Sequence, residues 1–376
     1  MQGSSFCVVS TDLSAVGAAL RAARLGAIHP SGAILFASGS LAESPERLLS
    51  EAEAELGPIP MALATASGVL TERGEHEGAP AVAGVMWRGG SVVPLFVESR
   101  ASPEAIGARV AEQTRAALGD ASGTVLLLAQ PQAFSAHSLD AIARLAPRAT
   151  VIGGGTLPRG AFASTPSGAP AMGAVVGLVL KGLARPAVRA ATACRPLGAL
   201  LPITETRGPM VLRIGDEAAL DRLSSCANDL TGRPLVLAVL ARNPSSAAAG
   251  AMLVRGIRGI DPARRGIVVT DEVSEGMLMS FAVCDPAASR ASLAASVRDV
   301  ERQLAGSARQ FGLLMTCAGR GRGLYGEPDV DTDIVRQRFP HVPFAGMFSS
   351  FEIAPFEERA AMHFYAGVLA VFGAPS

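Results

Sequence analysis

Ala146-Pro147-Arg148-Ala149-Thr150-Val151-Ile152-Gly153-Gly154-Gly155 is the stretch on which the fold class turns. A helix end passes through a proline into a short β-branched run, and the run stops in glycines. The phrase comes back twice. Leu56-Gly57-Pro58-Ile59-Pro60-Met61-Ala62-Leu63 precedes the apolar run Ala81–Trp87, and Pro340-His341-Val342-Pro343-Phe344-Ala345-Gly346 precedes Phe364–Phe372. The quoted stretch itself precedes Met172–Leu180. Each unit reads as a helix end, a strand, a small-residue turn, a variable loop and a second apolar strand. Self-similarity of this kind marks a repeated supersecondary unit.

The flanking sequence fills in the rest of the unit. Ser44-Pro45, Ser102-Pro103 and Asp285-Pro286 each set a capping side chain before a proline, which predicts three helix starts. Leu48, Leu49, Ala52 and Leu56 follow the first at helical spacing, and Leu293, Val297, Val300 and Leu304 follow the third. Ala33–Ala37, Thr124–Ala129, Leu235–Leu240 and Gly312–Thr316 are short and almost uncharged, as strands covered on both faces require. Val82–Trp87 and Val92–Val97, on either side of Arg88-Gly89-Gly90, read as an antiparallel succession. The expected fold is therefore mixed α/β (α+β). Its two related halves are built from strand–helix–strand–strand units, with mixed sheets covered by helices. The Gly/Pro-rich stretch Leu183–Leu201 is the expected join, giving domains 1–190 and 191–376.

Bulk properties narrow the partners. The 376 residues carry 33 basic and 33 acidic side chains, a formal net charge of zero, so neither nucleic acid nor an anionic membrane has an electrostatic handle. Apolar residues make up 49% of the chain and mean hydropathy is +0.33, enough for a sizeable core. Only 5% are aromatic, so that core must be aliphatic. The five cysteines are scattered and form no CxxC, which points to a reducing compartment and away from a structural zinc. No signal peptide is evident and no apolar run reaches about 18 residues, so a cytoplasmic protein is expected.

Candidate site residues gather near the C-terminal end. Phe311-Gly-Leu-Leu-Met-Thr-Cys317-Ala-Gly319-Arg320-Gly321-Arg322-Gly323-Leu-Tyr325-Gly326 is an apolar strand running into a loop of thiol, guanidinium, phenol and glycine. Val342-Pro-Phe-Ala-Gly346-Met-Phe348-Ser-Ser-Phe351-Glu352-Ile-Ala-Pro355 follows. Cys317 at a strand end reads as a pocket wall, as a nucleophile whose pKa the arginines depress, or as a small core residue. Arg320 reads as a carboxylate clamp or as the ion-pair partner of Glu352. Gly321 to Gly326 fits GxGxxG, but no helix opens directly after it, which rejects a dinucleotide site. Glu327, Asp329, Asp331 and Asp333 lack the glycine and closing glutamate of a calcium loop, and read as an acidic helix start favoured by the macrodipole. No two histidines stand at metal-ligand spacing, and neither GxSxG nor HExxH occurs.

Read together, these blocks resemble the FIST proteins, which pair an N-terminal with a C-terminal FIST domain. The resemblance rests on Val151 to Gly155, Ala171 to Leu180, Cys194-Arg195-Pro196-Leu197-Gly198 with Pro202 to Thr206, Cys317 to Gly321, and Gly346 through Phe351-Glu352-Ile353-Ala354-Pro355. The order and spacing of the blocks cover roughly residues 30 to 370. The family usually has a small residue where this chain has Phe351, so a phenyl ring stands against the pocket the resemblance implies.

The resemblance implies a bacterial sensory module that binds a small ligand, for which amino acids have been proposed, and that signals through a partner protein. Such domains occur joined to kinase, cyclase or chemotaxis outputs, or alone, and this chain looks like a stand-alone member. The ligand-binding residues expected are Cys194, Arg195, Cys317, Gly319, Arg320, Tyr325, Phe351 and Glu352, with no metal and no cofactor. Two alternatives stand beside it. One is an enzyme using Cys317 as nucleophile or Glu352 as general acid and base. The other is a haem-based nitric oxide sensor, since some members of the family bind haem.

Overall fold

A computed structural model describes residues 3–98, 101–157, 160–164, 170–228, 230, 232, 234–270 and 273–374. The chain divides into two compact units. The first holds Met1–Ala191, Leu293–Met362 and Ala366–Ser376; the second holds Thr192–Ser292 and His363–Tyr365. The expected cut at 190/191 falls beside the first crossing, Ala191 to Thr192, and the chain crosses back at Ser292 to Leu293. Both halves of the sequence therefore contribute to the first unit.

The first unit is mixed α/β and is built from three copies of one module. Each copy has a flanking strand, a helix, a lead strand, a second helix, a partner strand parallel to the lead strand, a hairpin and a return strand. In the first copy the flanking strand is Gly3–Val9 and the lead strand Gly32–Ser38. Helix Pro45–Leu56, partner strand Met61–Thr65, the hairpin Gly68–Thr71/Gly74–Glu77 and return strand Ala81–Trp87 follow. The second copy runs through Ser91–Val97, Gly123–Ala129, Ala136–Leu145, Ala149–Gly155, the hairpin Ala161–Ser164/Pro170–Gly173 and Val175–Lys181. The third runs through Ala187–Thr192, Arg309–Cys317, Val330–Arg338, Phe344–Ser349, the hairpin Glu352–Phe356/Arg359–His363 and Ala366–Gly373. The helices Leu13–Gly26, Pro103–Leu118 and Pro286–Gln303 lie in sequence between flanking and lead strand. The second unit is inserted in the third copy, between its flanking strand and that helix.

The repeats exchange their hairpins in a cycle. The hairpin of the first copy adds to the third sheet, where Val69 lies opposite Met347. That of the second adds to the first sheet, Ala161 opposite Ala64. That of the third adds to the second sheet, Glu352 opposite Gly154. Each six-stranded sheet has the same order: flanking, return, lead and partner strand, then a neighbour's hairpin. This order separates Ala81–Trp87 from Ser91–Val97, which sequence succession had suggested would pair. Ala81–Trp87 already has Gly3–Val9 on one side and Gly32–Ser38 on the other. The chain therefore turns through Gly89 and Gly90, at φ of 105° and 68°, and Ser91–Val97 pairs with Val175–Lys181 instead.

Alternation along the strands explains why these runs are apolar throughout. On Gly32–Ser38, Ile34 and Phe36 face a core shared by the three sheets, with Leu126, Leu128, Val176, Leu313 and Met315. Ala33, Leu35 and Ala37 face the helices, with Leu20, Leu48 and Leu49. Trp87 stacks on Phe311 at 4.7 Å between ring centroids, and Phe311 on Phe372 at 4.3 Å. The expected helix starts are present: Pro45, Pro103 and Pro286 each open a helix. Ser102 Oγ accepts from Ala105 N–H at 3.3 Å, and Asp285 Oδ1 from Ala288 N–H at 2.8 Å.

The second unit is an antiparallel sheet that closes on itself. Its order runs from Leu278–Cys284 through Leu201–Arg207, Met210–Ile214, Gly266–Val269 and Leu253–Asp261 to Val236–Ala241, which pairs back with Leu278–Cys284. Ile203, Val211, Ile214, Leu240, Ile267, Met279 and Phe281 fill its core.

Gly346 sits where the third sheet leaves no room for a side chain. It lies opposite Leu314 on one side and Leu70, from the first copy's hairpin, on the other. A Cβ there would collide with the Leu314 carbonyl oxygen and lie 2.9 Å from Leu70 Cδ1. Gly346→Ala is expected to lower stability by about 3 kcal/mol, measured as a shift of the urea midpoint at unchanged slope.

Candidate functional site

Lead strand Arg309–Cys317 ends in a turn closed by Arg320 N–H donating to the Cys317 carbonyl at 2.8 Å. Gly321 then takes φ of 64°, the left-handed region in which glycine costs least. Arg322 to Tyr325 make one helical turn, and helix Val330–Arg338 follows. The turn carries Arg320 back into the protein, where it is 1% exposed. Its Nε donates to Asp331 Oδ2 and its Nη2 to Asp331 Oδ1, both at 2.8 Å, a bidentate pair. Tyr325 Oη donates to Asp331 Oδ1 at 2.7 Å and lies 2.8 Å from Arg320 Nη2. Thr316 Oγ1 donates to Asp331 Oδ2 at 2.9 Å.

Glu352, fully buried at the start of the third hairpin, accepts at Oε1 from Ser349 Oγ at 2.8 Å. Its Oε2 and the Nη1 of Arg320 are both buried and find no hydrogen-bond partner among the described residues. The two side chains attract each other electrostatically, but the ion pair of Arg320 is with Asp331. This corrects the expectation that Arg320 pairs with Glu352 where it meets no ligand. Asp331 does stand in the first turn of helix Val330–Arg338, as the acidic helix start predicts, but its carboxylate is buried at 1% exposure and faces Arg320.

Charge follows from burial and neighbours. Burial alone would push the Asp331 carboxyl up, but the charge of Arg320 and the hydrogen bonds from Arg320, Tyr325 and Thr316 outweigh it and hold the group below the usual carboxylate range. Burial works against the Arg320 charge in the same way, and Asp331 more than compensates, so its pKa rises. Burial raises Glu352 well above an ordinary carboxyl, with Ser349, Arg320 and the backbone N–H groups of Ala366 and Glu352 pulling only partly back. The site is thus a guanidinium with the two N–H groups of Nη1 unpartnered, near a carboxyl whose protonated form burial favours. Chemically, that pair donates to an anionic oxygen and offers an acid O–H or a carbonyl to a second polar group.

The hairpin of the first repeat clamps the site from outside. Glu75 Oε1 accepts from Thr332 N–H at 3.0 Å and Oε2 from Asp329 N–H at 3.2 Å. Glu75 N–H donates back to Asp329 Oδ1 at 2.7 Å. These bonds cap the helix that carries Asp331 and hold Asp329 at φ of 65°. Glu77 Oε1 accepts from Arg322 N–H at 2.7 Å. Burial, reinforced by Asp331, raises Glu75 to about 7.

Strand register shows that the polar cluster departs from the repeat. Cyclic hydrogen bonds and parallel pairing align Thr316 with Ala37 and Ala129, because these face Phe348, Thr65 and Gly155. Glu352 aligns with Val69 and Ala161, because these lie opposite Gly154, Met347 and Ala64. Two repeats thus keep apolar side chains where the third has a hydroxyl and a carboxyl.

Of the expected site residues, Arg320, Tyr325 and Glu352 come together in the first unit. Cys317 ends the lead strand half-buried, and Gly319 has only Cys317 Sγ, at 3.8 Å, near its Cβ position. Phe351 is a core residue. Its ring stacks on Phe134 at 6.2 Å and covers Gly155, whose N–H donates to the Phe351 carbonyl at 2.7 Å. Cys194 and Arg195 belong to the second unit. There Cys194 Sγ lies 4.0 Å from Cys284 Sγ, and Arg195 Nε donates to Asp285 at 3.1 Å. Sequence reading missed Asp331, Thr316, Ser349 and Glu75 as parts of the site. The one available signal was the single helical turn between Arg320 and Asp331, which is short enough to bring the two together.

Family models cover most of the chain, and the boundary between them, 217/218, falls inside the second unit. The FIST N domain family model matches residues 32–217 and the FIST C domain model residues 218–355, so the chain belongs to the FIST family. Domains of this family are generally sensory domains of signal-transduction proteins. An uncharacterized protein of Mycobacterium tuberculosis is 28% identical over 358 residues, 91% of each chain. One of Mycobacterium bovis is 30% identical over 206 residues, 53% of each chain. No helix among the described residues is long and apolar enough to cross a membrane.

Two outcomes follow from the charges. Asp331→Ala strands a buried guanidinium and is expected to cost about 3–5 kcal/mol, read from denaturant unfolding. Glu75 ionises at about 7 when folded and at the ordinary 4.5 when unfolded. Between those values the unfolded chain gives up the proton first, so the contribution of Glu75 to stability falls as pH rises from about 4.5 to 7, by up to about 3 kcal/mol, and that contribution is level on either side. Glu75→Gln should flatten that part of the stability–pH curve relative to the wild type.

Proposed function

We propose that this chain is a sensory protein whose third repeat binds a small, carboxylate-bearing polar metabolite, and that it signals through a partner protein. The observation that carries this reading is the pair of unpartnered buried atoms, Arg320 Nη1 and Glu352 Oε2. A buried polar atom left unbonded costs roughly 1–3 kcal/mol, more when charged. A ligand carboxylate accepts from Nη1, and an amino, amide or hydroxyl group on the same molecule meets the Glu352 carboxyl. Amino acids have both groups at one carbon, which makes them the first ligand class to try. Asp331 already neutralises Arg320, so the site favours a zwitterion or a mono-anion over a multiply charged ligand.

The lead strand and hairpin fix the two groups from different sheets, because Arg320 follows Arg309–Cys317 and Glu352 pairs with Gly154. Binding would therefore tie together elements of two repeats, and a change in their spacing is the signal available to a partner.

A panel of the common amino acids and short hydroxy and keto acids, screened by calorimetry and thermal unfolding, tests the reading. A ligand present at about one hundred times its Kd should stabilise the wild type by about 2.7 kcal/mol. Glu352→Gln, which keeps shape and removes the acid, should weaken binding about tenfold or more while leaving the fold intact. Absence of binding across the panel by the wild type, or equal binding by Glu352→Gln and Arg320→Lys, would overturn it.

A further inference from the structure

We propose that Cys194 and Cys284 are a redox modification site of the second unit, which a small-molecule disulfide such as oxidised glutathione closes into a reversible intramolecular disulfide. The two cysteines lie directly opposite each other on the antiparallel strands Cys194–Pro196 and Leu278–Cys284, and their Sγ atoms are 4.0 Å apart. Register places them well for the bond. Asp285 N–H donates to the Ala193 carbonyl and Leu197 N–H to the Phe281 carbonyl, so Cys194 and Cys284 form a pair between hydrogen-bonded positions. Residues at such positions approach to about 4.5 Å between Cα atoms, inside the range a disulfide spans. A change of side-chain rotamer then closes the remaining gap without moving the strands.

Access and setting fit a reversible bond. Cys194 is buried against Leu237, Val239 and Val254, while Cys284 is half-buried and reachable from solvent. Arg195 and Asp285, the residues that follow the two cysteines, form an ion pair at 3.1 Å. The pair also stands near both ends of the segment Thr192–Ser292, so the bond would close nearly the whole second unit into one loop and restrict its unfolded state.

The chemistry is two thiol–disulfide exchanges. The Cys284 thiolate attacks one sulfur of the oxidised glutathione, forming a mixed disulfide and releasing one glutathione thiolate. The Cys194 thiolate then attacks Cys284 Sγ, forming the protein disulfide and releasing the second. The two protein thiols are oxidised, the glutathione disulfide is reduced, and the two thiol protons end on the two released glutathiones.

The full chain is equilibrated with mixtures of oxidised and reduced glutathione, quenched in acid, alkylated and mapped by mass spectrometry. The expected result is a linked pair of peptides containing Cys194 and Cys284, lighter by two hydrogens, which reductant separates. Cys194→Ser should stop at a glutathione adduct on Cys284, and Cys226→Ser should leave the link intact. The oxidised wild type should also unfold at a higher urea concentration than the reduced form. Full alkylation of both cysteines in every mixture, an adduct on wild-type Cys284 that never resolves, or a link to Cys226 instead, overturns the proposal. The wild-type map alone decides it, whatever the variants do.

Discussion

Three main-chain hydrogen bonds tie the first unit into a ring. Leu157 N–H donates to Thr65 O at 2.8 Å, Ser350 N–H to Gly155 O at 3.0 Å, and Ser67 N–H to Phe348 O at 3.3 Å. Each joins the chain just past one partner strand to the end of the partner strand in another repeat, and the cycle closes after three steps. The hairpins follow the same cycle, so no sheet is complete without a strand pair from a neighbour. A single repeat cannot bury its own sheet edge, which is the usual reason repeats are stable only together. The sequence separation across these contacts is large, and pairing of that kind is slow to form because loop closure comes before any contact is gained.

The ring also explains where variation is tolerated. The second unit is inserted between a flanking strand and its helix, outside the cyclic contacts. The same place holds only short connections in the other two repeats. Within the ring, by contrast, small residues are fixed by close backbone approach. Gly153 and Gly346 occupy matching partner-strand positions, and at both a Cβ would run into the carbonyl of the lead strand. The third repeat keeps this frame and changes only side chains that point between the elements. Thr316 and Glu352 stand where alanine or valine stands elsewhere, and a buried acid there is unfavourable for packing. The third repeat thus gives up apolar contacts at two register-matched positions.

Local signals were legible in the sequence, and non-local ones were not. Ser102-Pro103 marked a helix start through an adjacent cap and proline, and Ser44-Pro45 through its proline alone, since the Ser44 hydroxyl makes no cap hydrogen bond. The three proline-bearing phrases marked the repeat because each lies within one strand and its approaches. The hairpin exchange had no such mark, since Val69 pairs with Met347 across most of the chain. Val82–Trp87 and Val92–Val97 looked like a hairpin because their succession is local, while the strands that displace that pairing are distant in sequence. Arg320 and Glu352 could be singled out from the sequence, and the structure brings them to one buried cluster. The pairing of Arg320 with Asp331 was not, because alternating acids before a helix have the same pattern whether they are solvated or buried. Only the single turn Arg322–Tyr325, which brings Asp331 back to the strand end, separates those two cases.

The buried charge at Arg320 is where the three repeats meet. Its own repeat supplies Arg320, Thr316 and Asp331. The first repeat supplies Glu75, which caps the helix under Asp331 across the exchanged hairpin. The second supplies Gly154, against which Glu352 is placed. A group that alters the balance between Arg320 and Glu352 therefore acts on a helix held by one neighbour and on a hairpin held by the other. It can shift that arrangement only by binding its two states unequally. On the proposed reading a raised-pKa carboxyl and a guanidinium with Nη1 unpartnered would give it the means, because a ligand completing both hydrogen bonds would be favoured only while the two groups stay within its span. On the proposed reading the ring would carry such a local preference to all three sheets, since close-packed interiors respond by discrete repacking rather than by gradual deformation.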